Sequence, residues 1–280
     1  MKRYALFFLF FLCSTVCAHS EGPTVIGKVM VQDNTPMTTG VVLLYNKSIG
    51  PPPHPYKYWR VPDVISGTNN NGEFALDVPE GTYYLMIAQK SPEGEIGPPQ
   101  NNEFLYFHGD SDGNPYPITI TAQKQVNLGT LSNTFIWSPQ NIVHDKNITS
   151  IEGIVSDTED KPVQNALVFA YLYKNATGRP AFVSDRTDKN GSFFLRVHDG
   201  GTFFLKVRSV IGGGAPEAGE FLNTTKEFES VMANPERGKK LKGVSLKVKK
   251  FAGKGSTGEA KPEKVWKKIS DIQTQETIKK

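Results

Sequence analysis

The chain has 280 residues, of which 38% are hydrophobic and 21% are charged, and its formal net charge is +4. These values are ordinary for a soluble globular protein, and the length allows one large domain or two of roughly 100–130 residues. The 26 glycines and 19 prolines favour many turns and short strands and argue against long helices.

The N-terminus has the composition of a secretory signal peptide. Lys2 and Arg3 form a basic start, residues 4–12 are apolar, and Val16 and Ala18 place small residues for a cut after Ala18. The apolar run is shorter than the roughly 20 residues that span a bilayer. We therefore predict a signal peptide over residues 1–18, no transmembrane span, and an exported protein that is periplasmic, at the cell surface or extracellular.

The only two cysteines, Cys13 and Cys17, lie inside this segment. A mature chain cut after Ala18 therefore has no disulfide and no thiolate site. The alternative is a lipid anchor at Cys17, which is disfavoured because Val16 before it is bulkier than a lipoprotein signal usually carries at that position.

An internal repeat divides the remaining chain. The matching segments are 25–31 with 151–156, 68–78 with 187–197, 80–87 with 200–207, and 126–131 with 241–246. Apolar residues recur at every second position of these segments and many are aromatic or β-branched, which indicates strands. The Asn71-Gly72 and Asn190-Gly191 pairs occupy corresponding places and predict structural turns of the two-residue hairpin type, because Asn-Gly adopts positive φ at low cost.

The motif Thr-Asx-x-Asn-Gly-x-Phe-x-Leu-x-Val, later followed by Gly-Thr-aromatic, occurs at residues 68–83 and 187–203 and resembles the carboxypeptidase regulatory-like domain family. The resemblance implies an all-β fold of two tandem seven-stranded Greek-key sandwiches of transthyretin-like (prealbumin-like) type, at residues 22–132 and 149–250. Family members are usually accessory modules of secreted proteins, so no peptidase activity is implied.

Two stretches lie outside the copies. Residues 133–148 contain Trp137 and other apolar side chains, which predicts a packed connector. Residues 251–280 begin with a Gly-rich linker composition and form a basic tail, in which Val265, Ile269 and Ile272 have near-helical spacing that would suit a short helix.

The proline-rich loop around residues 50–60 carries Tyr56, Tyr58 and Trp59. These rings could form a stacking platform for a sugar or a partner. The alternative, which we favour, is that Tyr58 and Trp59 begin the third strand and pack in the core.

Asp110, Asp112 and Asn114 alternate oxygen-bearing side chains, a pattern that can wrap calcium. The loop lacks a late glutamate, so the alternative is a polar surface turn. Calcium is the only cofactor that the sequence suggests.

Residues 237–268 hold twelve lysines and arginines against two glutamates. Such a block could bind an anionic surface or acidic polysaccharide, but Lys247 and Lys249 alternate with Leu246 and Val248 as in a solvated edge strand. An exported protein has little reason to meet nucleic acid, so we predict no nucleic-acid partner.

The sequence contains no zinc-peptidase, serine-hydrolase, phosphate-loop or haem-attachment motif. We therefore predict a non-catalytic interaction or structural protein of the cell envelope or surface, which binds a protein or envelope polysaccharide through loops and sheet edges. The alternatives are a carbohydrate-binding module that uses the Tyr56–Trp59 loop and a metal-dependent enzyme with unrecognised ligands.

Overall fold

The structure, a computed structural model, describes residues 24–90, 96–122, 124–142, 148–176, 178–211, 216–223 and 230–253. The predicted signal peptide, the lipidation candidate Cys17 and the predicted helix of the tail lie outside these residues.

The described residues form eighteen strands and two short 3-10 segments, Gln32–Asn34 and Pro139–Asn141, and they contain no α-helix. The strands are β1 Thr24–Val29, β2 Gly40–Asn46, β3 Trp59–Arg60, β4 Val64–Gly67, β5 Glu73–Asp77, β6 Gly81–Gln89, β7 Phe104–Phe107, β8 Ile118–Ile120, β9 Val126–Leu131, β10 Thr134–Ile136, β11 Thr149–Ser156, β12 Leu167–Tyr171, β13 Phe182–Val183, β14 Ser192–Val197, β15 Phe203–Arg208, β16 Phe221–Asn223, β17 Val231–Ala233 and β18 Lys240–Lys250.

Each copy forms a sandwich of two sheets. In the first, the order β5-β1-β9 packs on β10-β7-β6-β2-β4, with β8 also paired to β6. In the second, β14-β11-β18-β16 packs on β17-β15-β12-β13-β3. The all-β, tandem-sandwich fold class is confirmed.

The alternating pattern of the sequence produces these cores. Along β5, Phe74 and Leu76 are buried while their neighbours are exposed, and Phe193 and Leu195 take the same places in β14. The last repeat is also in register: β9 and β18 run parallel to β1 and β11, each with one irregularity at the corresponding place. This confirms the alignment of residues 126–131 with 241–246.

The Asn-Gly turns are not the hairpins that the sequence predicts. Strands β4 and β5 on either side of Asn71-Gly72 lie in different sheets, and so do β13 and β14 around Asn190-Gly191. Only the glycines have positive φ, 74° and 73°, whereas a two-residue hairpin turn of this type needs it at both positions. The turn therefore carries the chain from one sheet to the other.

Each Asn-Gly turn packs against the first strand of its own copy. The backbone N–H of Val29 donates to the carbonyl oxygen of Gly72, and Val155 does the same to Gly191, both at 2.8 Å. A Cβ on either glycine would collide with the carbonyl oxygen of that valine. Close approach and positive φ together explain why glycine stands at both positions.

A third apolar core joins the two sandwiches. Strands β2 and β6 of the first copy and β12 of the second are buried on both faces. Their second faces meet in a cluster that we call the shared core. It contains Leu43, Met86 and Leu105 from the first copy, Leu167, Phe169 and Val183 from the second, and Trp137 and Ile142 from the stretch between the copies. The described residues thus form a stack of four sheets around three apolar layers.

Two strands are placed differently from the prediction. Strand β3 follows β2 in the chain, yet it pairs with β13 of the second copy, Trp59 opposite Val183 and Arg60 opposite Phe182. Strand β18 is not an edge strand, because β11 and β16 pair with it on its two sides. Leu246 and Val248 of β18 are nonetheless buried as the alternation predicts.

Candidate functional site

The loop predicted to carry an aromatic platform is a bridge between the copies. We call residues 47–62 the crossing segment, because they leave the first sandwich after β2 and insert into the second. Tyr58 is buried in the core of the second sandwich, with its ring 5.6 Å from that of Phe182. Its hydroxyl donates a hydrogen bond of 2.7 Å to the carbonyl oxygen of Pro52. Trp59 is buried in the shared core.

Tyr58 and Trp59 are thus packed in cores, as in the second of the two interpretations of this loop. Of the three aromatic residues, only Tyr56 is partly exposed. The Tyr56 ring lies 5.9 Å from that of Phe135. Tyr58 and Trp59 could stack on a sugar only by leaving their cores, so the three rings do not form one platform.

Asp185 holds Trp59 in place. Its Oδ1 accepts a hydrogen bond of 2.8 Å from the indole Nε1 of Trp59, and its Oδ2 lies 3.1 Å from Nη2 of Arg196. The Arg196 guanidinium is buried between the rings of Trp59 and Phe194, at 5.5 and 5.7 Å. Burial lowers the pKa of Arg196, and the Asp185 carboxylate opposes that shift.

Asp63 ties the end of the crossing segment to both copies. Its Oδ2 accepts from Nη2 of Arg60 at 2.8 Å, and its Oδ1 accepts from Arg179 of the second copy at 3.0 Å. Arg60 also donates to the carbonyl oxygens of Asn46 and Pro51, at 2.7 and 2.9 Å. Because these partners come from both sandwiches, the segment is fixed at each end.

The predicted calcium loop has the geometry of a repeated turn. The side-chain oxygen of Asp110 accepts from the backbone N–H groups of Asp112 and Asn114, and its other oxygen accepts from the Asn114 amide at 2.9 Å. These hydrogen bonds, that of the Asn114 side chain first, lower the pKa of Asp110. The same contacts to the backbone two and four residues on, at 2.8–3.0 Å, occur at Asn69, Asp110, Asp157 and Asp188.

Turn chemistry thus accounts for the Asp110 carboxylate without a cation. Across the described ranges, no group of three or more His, Cys, Asp or Glu side chains is arranged to hold a metal ion. Calcium at Asp110, Asp112 and Asn114 stays a prediction.

His54 joins the crossing segment to this turn. Its ring lies over Gly113, where an added Cβ would come within 2.6 Å of it. Burial, and then the positive charge of Lys57, lowers the pKa of His54 to about 4. The 50–60 and 108–116 loops, two places where the copies differ in sequence, are therefore neighbours in space.

The third such place is the basic segment, whose cations lie partly on β18 and partly before it. On β18, Lys240 lies 3.8 Å from Glu152 and Lys247 forms an ion pair with Asp160. Arg237, before β18, lines a cavity together with Lys57 of the crossing segment. The regions that the sequence predicts as binding sites therefore meet at the boundary between the copies. No single sequence feature indicates this.

Sequence reasoning missed Asp185 and Arg196, and also His198, whose ring lies 5.4 Å from that of Tyr58. Trp59 and Asp185 are 126 residues apart in the chain. A lone aspartate and arginine on either side of the second Asn-Gly turn carry no local motif. Only the position of β3 in the second sandwich brings them to Trp59.

No family model and no curated protein matches the chain. Solved structures with some similarity include the Bacillus anthracis TIE protein, at 15% identity, 81% of this chain and 34% of that chain, with a TM-score of 0.26. Others are a Streptococcal ancillary pilin (12%, 82% and 63%, 0.24) and the shaft pilin spaA from Lactobacillus rhamnosus GG (11%, 84% and 98%, 0.24).

The chain spans about a third of the first of these proteins and less than two thirds of the second. At such identities and TM-scores the similarities carry no conclusion about function. The resemblance to the carboxypeptidase regulatory-like family stays a prediction. None of the helical segments in the described part of the chain has the length and apolar character needed to cross a membrane.

Proposed function

We propose that the chain is a non-catalytic structural and interaction protein of the cell surface or extracellular space, in which the two copies act as one rigid unit. The observation that carries this proposal is the shared core. Leu167, Phe169 and Val183 are almost completely buried there against side chains of the first copy. Exposing each such side chain costs roughly 1.5–3 kcal/mol, so the copies separate only at high cost.

The crossing segment adds directional contacts to this apolar interface. Strand β3 extends the β12–β13 sheet, and Arg179 reaches back to Asp63. Backbone pairing and the Arg179–Asp63 ion pair, in which only the carboxylate is buried, define one orientation, whereas apolar burial alone is non-directional. Loops from both copies are thereby held as one binding surface, which suits a protein that must keep its shape between two attachment points.

The test is a distance measurement by pulsed electron paramagnetic resonance. A chain that starts at His19 has no cysteine, so two cysteines introduced in each variant can carry the pair of spin labels. Labels at the exposed positions Gln32 and Lys189 report between copies, and labels at Lys189 and Lys242 provide the control within one copy. The proposal predicts distributions of equal width, and a much broader distribution between the copies would contradict it.

Export is tested on the protein isolated from its native source. Intact mass should show a mature chain that begins at His19 and carries no lipid. A chain that retains residues 1–18 would contradict the proposed location.

A further inference from the structure

A cavity of about 490 Å³ opens where the crossing segment enters the second sandwich. We call it the seam cavity. Four separate stretches of chain line it, and their residues are Lys57, Tyr58, Ile148, Thr149, Val197, His198, Arg237 and Gly238. The first copy supplies Lys57 and Tyr58, so the cavity exists only because the two copies are joined.

The walls of the seam cavity are held by contacts of their own. The Tyr58 ring meets His198 edge to face at 5.4 Å, and its hydroxyl is bonded to Pro52. The backbone N–H of Gly238 donates to Oγ1 of Thr149 at 2.9 Å, which ties the start of β11 to the turn before β18. A ligand would therefore meet a preformed site, and little conformational entropy would be lost on binding.

The rim of the cavity is cationic. Lys57 and Arg237 are exposed at it, and within the described ranges Lys57 has no ion-pair partner. Asp199 is the neighbouring acid. Its two oxygens lie 3.0 Å from Nε of Arg237 and 2.6 Å from Nδ1 of His198. This contact orients the guanidinium through Nε, so that its outer edge can meet a second anion.

The size and lining of the cavity indicate the class of ligand. Its volume lies in the range of roughly 300–1,000 Å³ that is typical of small-molecule sites, which is far more than one inorganic anion fills. The histidine, lysine and arginine side chains offer hydrogen bonds, and the Tyr58, Ile148 and Val197 side chains offer a small apolar contact surface because they are mostly buried. Hydroxyl groups on a ring together with one negative charge would match this lining.

We propose that the seam cavity binds an anionic sugar unit of an acidic polysaccharide, with the carboxylate or sulfate between Lys57 and Arg237. This proposal rests on the proposed interaction function and names a ligand class for it. The spin-label distances test the rigid unit without any ligand, so the two proposals can fail separately.

The experiment is calorimetric titration of the mature chain with four probes at 50 mM and 300 mM salt. The probes are a trigalacturonate, a sulfated trisaccharide, the neutral maltotriose, and inorganic sulfate. We expect saturable 1:1 binding of one or both acidic trisaccharides that weakens as salt screens the charges. Binding of the first but not the second assigns a carboxylate, and the reverse assigns a sulfate.

The double variant K57Q/R237Q should weaken that binding at least tenfold, whereas K47Q/K242Q, which removes two exposed lysines elsewhere, should leave it unchanged. Both variants should keep the melting temperature, because all four side chains are exposed. Equal binding of maltotriose or of sulfate alone, binding of none of the trisaccharides, or unaltered binding by K57Q/R237Q would each overturn the proposal.

Discussion

At Asp185 one carboxylate serves two buried partners that belong to different copies. It accepts from the indole of Trp59, in the crossing segment, and pairs with Arg196, in β14. Removing one partner of a buried polar set leaves the others unsatisfied, which costs more than the contact itself contributes. Trp59 thus links the apolar shared core to the polar contacts of the second sandwich.

Trp59→Ala should lower the free energy of unfolding by about 3–5 kcal/mol, because it leaves a cavity in the shared core. Tyr56→Ala removes a ring of similar type three residues away that is partly exposed, and should cost less than about 1 kcal/mol. Urea denaturation of both variants measures the difference. Similar small losses would show that Trp59 is not packed as described and would restore the aromatic platform.

The glycines of the two Asn-Gly turns allow a second test. Gly191→Ala meets both a positive φ and the Val155 carbonyl oxygen, whereas Gly243→Ala meets a positive φ of 78° with no atom within 4 Å. The control should lose about 1–2 kcal/mol of stability from the left-handed backbone alone. Gly191→Ala should lose at least twice as much, and equal losses in thermal denaturation would contradict the close approach.

His54 should make the free energy of unfolding depend on pH. Burial lowers its pKa from 6.5 to about 4, so between these values the unfolded chain binds a proton that the folded chain does not. The stability contributed by the neutral ring is present above pH 6.5 and is lost as the pH falls to about 4. Replacing His54 by Gln should reduce this fall by about 1–2 kcal/mol, after allowance for solvent screening of a half-buried ring. Equal pH profiles of the free energy of unfolding, measured from pH 7 to pH 4, would contradict the buried ring.

Single positions could be predicted only where the pattern is local. Phe74 and Leu76 are buried, as alternation requires, and so are their counterparts in the second copy. The Asn-Gly turns were located correctly and their type was wrong, because a dipeptide favours a turn without specifying whether the strands beside it pair with each other. Arg196 stands in an alternating strand as an apparently exposed residue, and its burial comes from Trp59 of the other copy.

Among the elements, β3 is the one whose place departs most from the chain order. It is only two residues long, but it pairs with β13 and positions Tyr58 and Trp59 in two different cores. The second sandwich is therefore incomplete without residues of the first.

Replacing residues 47–62 by a Gly-Ser linker of equal length should destabilise the second sandwich, although every residue removed belongs to the first. Hydrogen exchange should show lost protection in β11 and β14, whose inward side chains belong to the same buried cluster as Tyr58. The same replacement of residues 32–35, which are exposed and include the 3-10 segment Gln32–Asn34, is the control and should change little. Full protection of β11 and β14 in the linker variant would contradict the insertion.

The shared core left a signal at the level of elements. Residues 41–45 and 167–171 are continuous apolar runs, unlike the alternating strands around them, and such runs are typical of strands buried on both faces. The sequence therefore marks β2 and β12 as doubly buried. It does not say that they face each other, because that depends on contacts between segments more than a hundred residues apart.

On the scale of the whole molecule, the described strands form four sheets that enclose three apolar layers in one continuous stack. The middle layer is the shared core, and the stretch between the copies contributes Trp137 and Ile142 to it. Two sandwiches joined by a flexible linker would unfold as two independent units. A stack with a common core has no surface at which it divides without exposing apolar side chains.

The most direct test of this rigid stack is equilibrium urea unfolding of the mature chain with one probe in each outer sheet. Fluorophores attached at Thr130, next to β1, and at Lys242, next to β11, report the first and second copies separately. A shared core predicts one transition, with the same midpoint and the same slope at both positions. Two separate midpoints, with one sandwich folded while the other is unfolded, would contradict it.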